Sequence, residues 1–285
     1  MNKRWLKLAV LAKELLVGSI QTMKIAVCIK QVPDSWAEKK MTSDGLLDRA
    51  AADAVLNDLD EYAVEEALKL VEANSPTGEA GEGSGHTITL ICMGPERATE
   101  AVRKALSMGA DDAIVITDPA LIGSDALATS LVLAKAIQDG GFDLVMCGTE
   151  STDARMSVIP AMLAERLGFA QLTFAGSVAL DGASISISRQ TEFGVEKMIA
   201  PMPAVVSVVE KINEPRYPSF KGIMAAKKKT IAVQTLNDLG ISAQSAWSVV
   251  NDSAVRAPRG AGIKIVDEGE GGKKLVEFLR ERKLV

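Results

Sequence analysis

Between Lys24 and Leu167 the chain alternates short apolar runs with segments of helical spacing, and this rhythm leaves few folds open. Lys24–Lys30, Thr87–Met93, Asp112–Thr117 and Asp143–Cys147 are five to seven residues long and apolar, as buried strands are. Leu59, Ala63, Ala67, Leu70 and Val71 share one helix face. Asp58 and Glu61 stand ahead of them in the positions of a capping box. Gly94-Pro95 opens the next helix, proline being tolerated in a first turn, and Ala98, Val102 and Ala105 make its inner face. Further helices are expected near Ser124–Gln138 and Asp153–Leu167. Strands and helices in alternation predict an α/β fold, a parallel-core sheet with helices on both faces.

After Leu172 the rhythm changes. Gly176–Asp181, Ser184–Arg189 and Ala204–Val209 read as strands without long helices between them, and Asp181-Gly182 is a hairpin turn signal. Additional antiparallel strands are therefore expected on the core, with Thr230–Gln234 closing it. Ser75–Gly85, rich in Gly, Glu and Ser, is expected to be a flexible insertion. From about Gly240 the chain becomes a C-terminal arm: a linker through Ala254–Gly262, a turn at Asp267–Gly272 and a short helix at Lys273–Arg282. It is too short for a core of its own. At the other end, Trp5, Leu8, Ala12, Leu15 and Leu16 fit one helical face, but Lys7, Lys13 and Glu14 break any membrane span or signal peptide. The simplest account makes Met23 the start and residues 1–22 an extension outside the core; the rival is an amphipathic surface helix. The expected domains are thus 1–22, 23–240 and 241–285.

Charge and cysteine usage narrow the function. A net charge of −5 argues against general nucleic-acid binding. Lys227–Lys229 is a local exception, which also reads as a solvated helix end. Cys28, Cys92 and Cys147 lie in or beside apolar runs with no CxxC pair, as buried thiols in a reducing compartment do. Packing or a backbone contact is expected of Cys28 and Cys147, not thiolate chemistry. His86 is the sole histidine, so a Ser-His-Asp triad or a multi-histidine metal site has little to draw on. No acid–base pair or nucleophile stands out, and a stand-alone enzyme is not expected.

Two regions invite ligands. In an open parallel sheet they bind beyond the carboxyl ends of strands. Here those edges are Cys28–Asp34, Asn57–Asp60, Met93-Gly94-Pro95 and Gly148–Arg155, where helix-start N–H groups offer a phosphate site. There is no GxGxxG fingerprint and no GxxxxGK[ST] loop, and ordinary strand-to-helix turns explain these edges as well. The second region is Asn213–Lys229, where two prolines precede Phe220, a short helical run and a basic cluster. An apolar residue framed by charge suggests docking. Phe220 reads either as a hydrophobic anchor for a partner or as a core residue beneath the loop. Arg216 reads as a partner ion pair or as satisfying a nearby carbonyl.

The segment Asn213-Glu-Pro-Arg-Tyr-Pro-Ser-Phe-Lys-Gly-Ile-Met-Ala-Ala-Lys-Lys-Lys229 resembles the recognition loop and signature of the electron transfer flavoprotein beta subunit. Lys24-Ile-Ala-Val-Cys-Ile-Lys-Gln-Val-Pro-Asp34, Ala63-Val-Glu-Glu-Ala67, Gly94-Pro-Glu-Arg-Ala-Thr-Glu-Ala101 and Arg103-Lys-Ala-Leu-Ser-Met-Gly-Ala-Asp111 match the same family. The resemblance covers nearly all of Met23–Gly240 and continues more weakly to Val285. It implies an adenine nucleotide-binding type of α/β domain with an obligate alpha-subunit partner that holds the redox-active FAD. It implies a structural AMP in this chain, or a second FAD in electron-bifurcating relatives that use NADH. By matched position the nucleotide site would use Cys28, Asn57, Asp58, Leu59, Asp60 and Met93. The run Leu144, Val145, Met146, Cys147, Gly148, Thr149, Glu150, Ser151, Thr152, Asp153, Ala154 and Arg155 would complete it.

Partner recognition would fall to Arg216, Tyr217, Pro218, Ser219, Phe220, Lys221, Ile223 and Met224. The implied clients are acyl-CoA and related dehydrogenases, the implied acceptor a membrane quinone oxidoreductase, and the implied setting a bacterial cytoplasm. No transmembrane segment is expected, and the arm would pack on the alpha subunit. Leu59 and Trp36 would approach the partner's flavin, or serve as a core leucine and an interface shield. The family's loop often reads Asp-Gly-Asp-Thr, then Gln and Pro, whereas this one reads Asp153-Ala-Arg-Met-Ser-Val-Ile-Pro160. Arg155 would then offer charge to a phosphate, or narrow the site by its bulk. A stand-alone adenine-nucleotide sensor of the same fold is the remaining alternative.

Overall fold

A computed structural model describes residues 22–81 and 84–285. Residues 1–21, read above as an extension or, alternatively, an amphipathic surface helix, lie outside the described residues. The described chain divides after Val250 into two units.

The first unit is built on a seven-stranded sheet in which every pairing is parallel. Its strands are β1 (Lys24–Ile29), β4 (Thr87–Met93), β5 (Asp112–Ile116), β6 (Leu144–Gly148), β7 (Ala170–Ala175), β11 (Ala204–Val208) and β12 (Ile231–Gln234). They lie in the order β12-β5-β4-β1-β6-β11-β7. Strand β1 is central. The chain builds outward to β4 and β5, then crosses back to β6 on the other side of β1. The topological switch point therefore falls between β1 and β6.

Alternate side chains feed two apolar layers. Ile25, Val27, Leu90, Leu144, Met146 and Val206 meet Val64 and Leu68 of α1 (Asp58–Asn74) and Val102 and Leu106 of α2 (Thr99–Met108). On the opposite face Ala26, Cys28, Ile91, Val145, Cys147 and Val205 meet Val132 and Ile137 of α3 (Ala126–Gly140) and Leu163 of α4 (Ile159–Leu167). Each such fully buried aliphatic side chain contributes roughly 1.5–3 kcal/mol.

Three local expectations differ from what forms. The helix expected from Asp153 begins only at Ile159, and Asp153–Val158 is loop. Arg155 and Ser157 hold φ of 50° and 55°, which a right-handed helix cannot accommodate. The capping box of Asp58 and Glu61 does not form: Asn57 is the cap residue, and its side chain makes no cap bond because it is committed elsewhere. The Ser75–Gly85 insertion, whose residues 82–83 lie outside the described set, ends packed rather than loose. Ser84 and His86 are buried, and His86 Nδ1 accepts a hydrogen bond from the Met23 N–H at 3.2 Å.

The added antiparallel strands form a sheet of their own. Strands β8 (Ser177–Asp181), β9 (Ser184–Thr191) and β10 (Gly194–Pro201) run β10-β9-β8. Their inward residues Ile185, Ile187, Met198 and Ala200 join the first apolar layer. Ala204–Val208, by contrast, runs parallel inside the main sheet, and Ile231–Gln234 closes its edge as expected. A short hairpin, β2 (Gln31–Pro33) with β3 (Ala54–Leu56), leads into α1. Helix α5 (Phe220–Ala226) precedes β12.

The second unit, Asn251–Val285, contains α6 (Gly271–Glu281), an amphipathic helix with no buried residue. No helix among the described residues is long and apolar enough to cross a membrane.

Candidate functional site

The switch point is organised by the first turn of α1. Asp60 of that turn reaches the end of β1, where its Oδ2 accepts the Lys30 N–H at 2.7 Å. Its Oδ1 accepts from Asn57 Nδ2 at 2.9 Å. Burial pushes the Asp60 carboxyl up to about 7, against the lowering effect of these two bonds. The end of β6 must come close for this to happen. A Cβ on Gly148 would stand 2.7 Å from both Asp60 Oδ1 and the Leu59 carbonyl, so only glycine fits.

Beyond Gly148 the chain is tied down residue by residue. Thr149 Oγ1 donates to the Val208 carbonyl at 2.7 Å. Asn57 Nδ2 also donates to the Glu150 carbonyl at 3.0 Å, and its Oδ1 accepts the Thr152 N–H at 3.1 Å. Lys30 Nζ donates to Ser151 at 3.2 Å and pairs with Asp153 at 2.7 Å. Arg49, from the β2–β3 connection, donates to the other Asp153 oxygen at 3.1 and 2.8 Å. Burial works to raise the Asp153 carboxyl, but the Lys30 charge and hydrogen bonds hold it below the usual range. Ser157 Oγ donates to Glu150 at 2.8 Å.

The sequence-predicted nucleotide residues thus collect at one sheet edge, with three departures. Cys28, Met93, Cys147 and Gly148 end their strands, Asn57–Asp60 open α1, and Thr149–Arg155 are the loop. Leu144, Val145 and Met146, however, are fully buried in the two core layers and paired with strands on both sides, so they serve the core rather than a ligand. Cys28 and Cys147 are register partners on adjacent strands. A hydrogen bond of the protonated Cys147 thiol to Cys28, with burial, raises that thiol, which suits packing rather than thiolate chemistry. Arg155 is exposed and its guanidinium makes no hydrogen bond among the described residues.

Does this edge fit an adenine nucleotide? The buried Thr152 Oγ1 has no hydrogen-bond partner among the described residues, and a buried hydroxyl without one costs ~1–3 kcal/mol. It stands in the same loop as the free guanidinium. An unmet hydroxyl and an uncommitted cation fit a ligand that carries both hydrogen-bonding groups and negative charge. Two open surface grooves are present, and the first shares Asp58 and Leu59 with this edge. One, of about 480 Å³, runs along Asp58, Leu59, Tyr62, Lys104, Pro215 and Tyr217; the other, of about 800 Å³, adjoins it at Tyr62 and Asn213–Tyr217. Neither includes Cys28, Met93 or Thr149–Arg155.

The second region also takes shape. Ser219 caps α5, its Oγ accepting the Gly222 N–H at 3.0 Å. Phe220 is 81% exposed and Tyr217 95%; Lys221 is exposed, Pro218 is half-buried, and Ile223 and Met224 are partly exposed. Phe220 is therefore a displayed side chain and not a core residue. Trp36 is likewise exposed. Arg216 is engaged within the chain, not by a carbonyl but by Glu65 and Glu72 of α1. Lys229 turns inward to the Gly109 and Ala110 carbonyls, so the basic cluster is only partly solvated. The carboxylates Glu65 and Glu66 were missed. Their signal is a Glu-Glu pair amid the apolar residues Ala63, Val64, Ala67 and Leu68, where an inward charge demands a partner.

Fold and site define a doubly wound α/β protein with a hydrogen-bonded loop at its switch point and, apart from it, a helix displaying an aromatic residue. A family model for the electron transfer flavoprotein domain matches residues 44–239. The electron transfer flavoprotein subunit beta of Mycobacterium tuberculosis is 48% identical over 268 residues, 92% of this chain and 99% of that protein. The same figures hold for the subunit beta of Mycobacterium leprae. The subunit beta of Thermoanaerobacterium thermosaccharolyticum is 33% identical over 270 residues, 92% of this chain and 100% of that protein. The chain belongs to the electron transfer flavoprotein family, on the beta-subunit side, and its role is electron transfer.

Proposed function

We propose that this chain is the beta half of a heterodimer whose alpha subunit holds FAD. It binds a structural AMP at the β1–β6 crevice and helps shape the partner's flavin site. It receives electrons from acyl-CoA and related dehydrogenases and passes them toward a membrane quinone oxidoreductase. When bound, FAD supplies the electron-carrying chemistry. This chain's residues supply placement. Asn57 fixes the loop through the Glu150 carbonyl and the Thr152 N–H. Cys28, Met93 and the Thr149–Arg155 backbone border the nucleotide, with the Thr152 hydroxyl as its donor. Phe220 anchors the dehydrogenase.

The charge arrangement of the loop carries the preference for AMP. Lys30 and Arg49 are both spent on Asp153, which leaves Arg155 as the uncommitted cation of this loop. One guanidinium matches one phosphate better than the diphosphate of a second FAD. Co-expression with the alpha subunit, followed by mass spectrometry of every released nucleotide, tests this. The expected result is one FAD and one AMP per heterodimer. Two FAD and no AMP would establish the bifurcating alternative, and a stable flavin-free monomer the sensor.

A further inference from the structure

The segment that displays Phe220 is held at both ends by arginine. At its start, Arg216 Nε and Nη2 donate to Glu65 at 2.7 and 3.0 Å. Nη1 and Nη2 donate to Glu72 at 2.6 and 3.0 Å, and the Arg216 N–H adds a bond to Glu65 at 3.1 Å. Glu65 and Glu72 are two helical turns apart, so they present their carboxylates on one face of α1. At its end, Arg103 of α2 donates to the Ala226 and Lys229 carbonyls at 2.6 and 2.5 Å. Between the two, Gly222 lies so close to α2 that a Cβ there would stand 2.6 Å from the Ser107 carbonyl.

Such a cluster is an expensive way to hold a surface loop. The Glu65 side chain is only 7% exposed, and a buried ion pair is a weak source of stability. What it secures is geometry, since a guanidinium forked between two carboxylates admits one orientation. The loop it fixes carries an aromatic that stands 81% exposed. Ordering that loop in advance removes a cost that docking would otherwise bear.

Resting on the reading of Phe220 as the docking anchor, we propose that Arg216 is a positioning residue. Through Glu65 and Glu72 it holds the displayed aromatic in its docking orientation before any dehydrogenase arrives, and it makes no essential contact with the dehydrogenase itself.

The test is a double-mutant cycle in the FAD-loaded heterodimer, with a purified acyl-CoA dehydrogenase reduced by its acyl-CoA as electron donor. Arg216→Gln is expected to raise the KM for the dehydrogenase by about tenfold, with the rate at saturation changing less than about twofold. Arg216→Lys is expected not to rescue it, because an ammonium cannot fork. In the Phe220→Ala background, Arg216→Gln is expected to add almost nothing. Amide exchange over Ser219–Ala226 in the heterodimer is expected to quicken in Arg216→Gln. Glu72→Gln, which leaves the Glu65 pair intact, is expected to repeat the pattern more weakly and covers the case in which Arg216→Gln fails to fold. Equal losses in both backgrounds, or unchanged KM and exchange, overturn the positioning role alone. A Phe220→Ala heterodimer that accepts electrons normally overturns the docking reading on which it rests.

Discussion

Asp60 is a carboxyl placed where it resists ionisation. With no solvent around it, it keeps its proton up to about pH 7, whereas in the unfolded chain it would lose it near 3.8. Between those values the folded state holds more protons than the unfolded one, so stability falls as pH rises through the window. Integrated from pH 5 to pH 8, this amounts to about 2–3 kcal/mol. Asp60→Asn removes the titration. Urea unfolding of the heterodimer at fixed concentration is expected to show a pH 5 to pH 8 stability difference changed by that amount in the variant. An identical difference in both proteins would place the Asp60 pKa near its ordinary value. Asp153 has the opposite sign: its lowered pKa contributes stability above the unfolded value, which is lost in acid as the Lys30 and Arg49 pairings end.

At the scale of elements, α5 depends on glycine more than on its own length. It is seven residues long, too short to persist alone, and its place is set by contact with α2. Gly222→Ala would put a methyl against the Ser107 carbonyl and push the helix outward. The expected loss is about 1–3 kcal/mol of stability, with slower electron acceptance from a dehydrogenase. Thermal unfolding and stopped-flow reduction check the two halves of that statement, and an undisturbed variant would show that the helix is loosely seated. This also shows where sequence reading reaches and where it stops. The strands Lys24–Ile29 and Thr87–Met93 were legible because buried parallel strands are continuous apolar runs. Ala170–Ala175 was not, because Gln171 and Thr173 interrupt its pattern at the sheet edge. Asp153–Val158 reads as the front of a helix until the left-handed Arg155 and Ser157 are seen, in a loop whose Thr152 and Asp153 are bonded to distant Asn57 and Lys30. The collection of Cys28, Asn57 and Thr149–Arg155 at one edge followed from strand order and matched motifs. The Arg216 cluster needed three dimensions, since Glu65 lies 151 residues away along the chain.

For the molecule as a whole, the two units invite separation. The helix of the second holds no buried side chain. A chain truncated after Val250 is expected to retain the core's circular dichroism and its cooperative unfolding, and loss of either would show that the core needs the arm. The sheet's central strand has a further consequence, which concerns how the protein is made. Strand β1 is synthesised before every strand that will cover it, and its partner at Lys24, Asp143, follows 119 residues later. At about 5–20 residues per second, one flank of β1 stays bare on the ribosome for roughly 6–24 seconds. During that interval an apolar run with open backbone donors faces the cell. The strand that anchors the finished sheet is therefore a segment that gains from a chaperone's cover during translation.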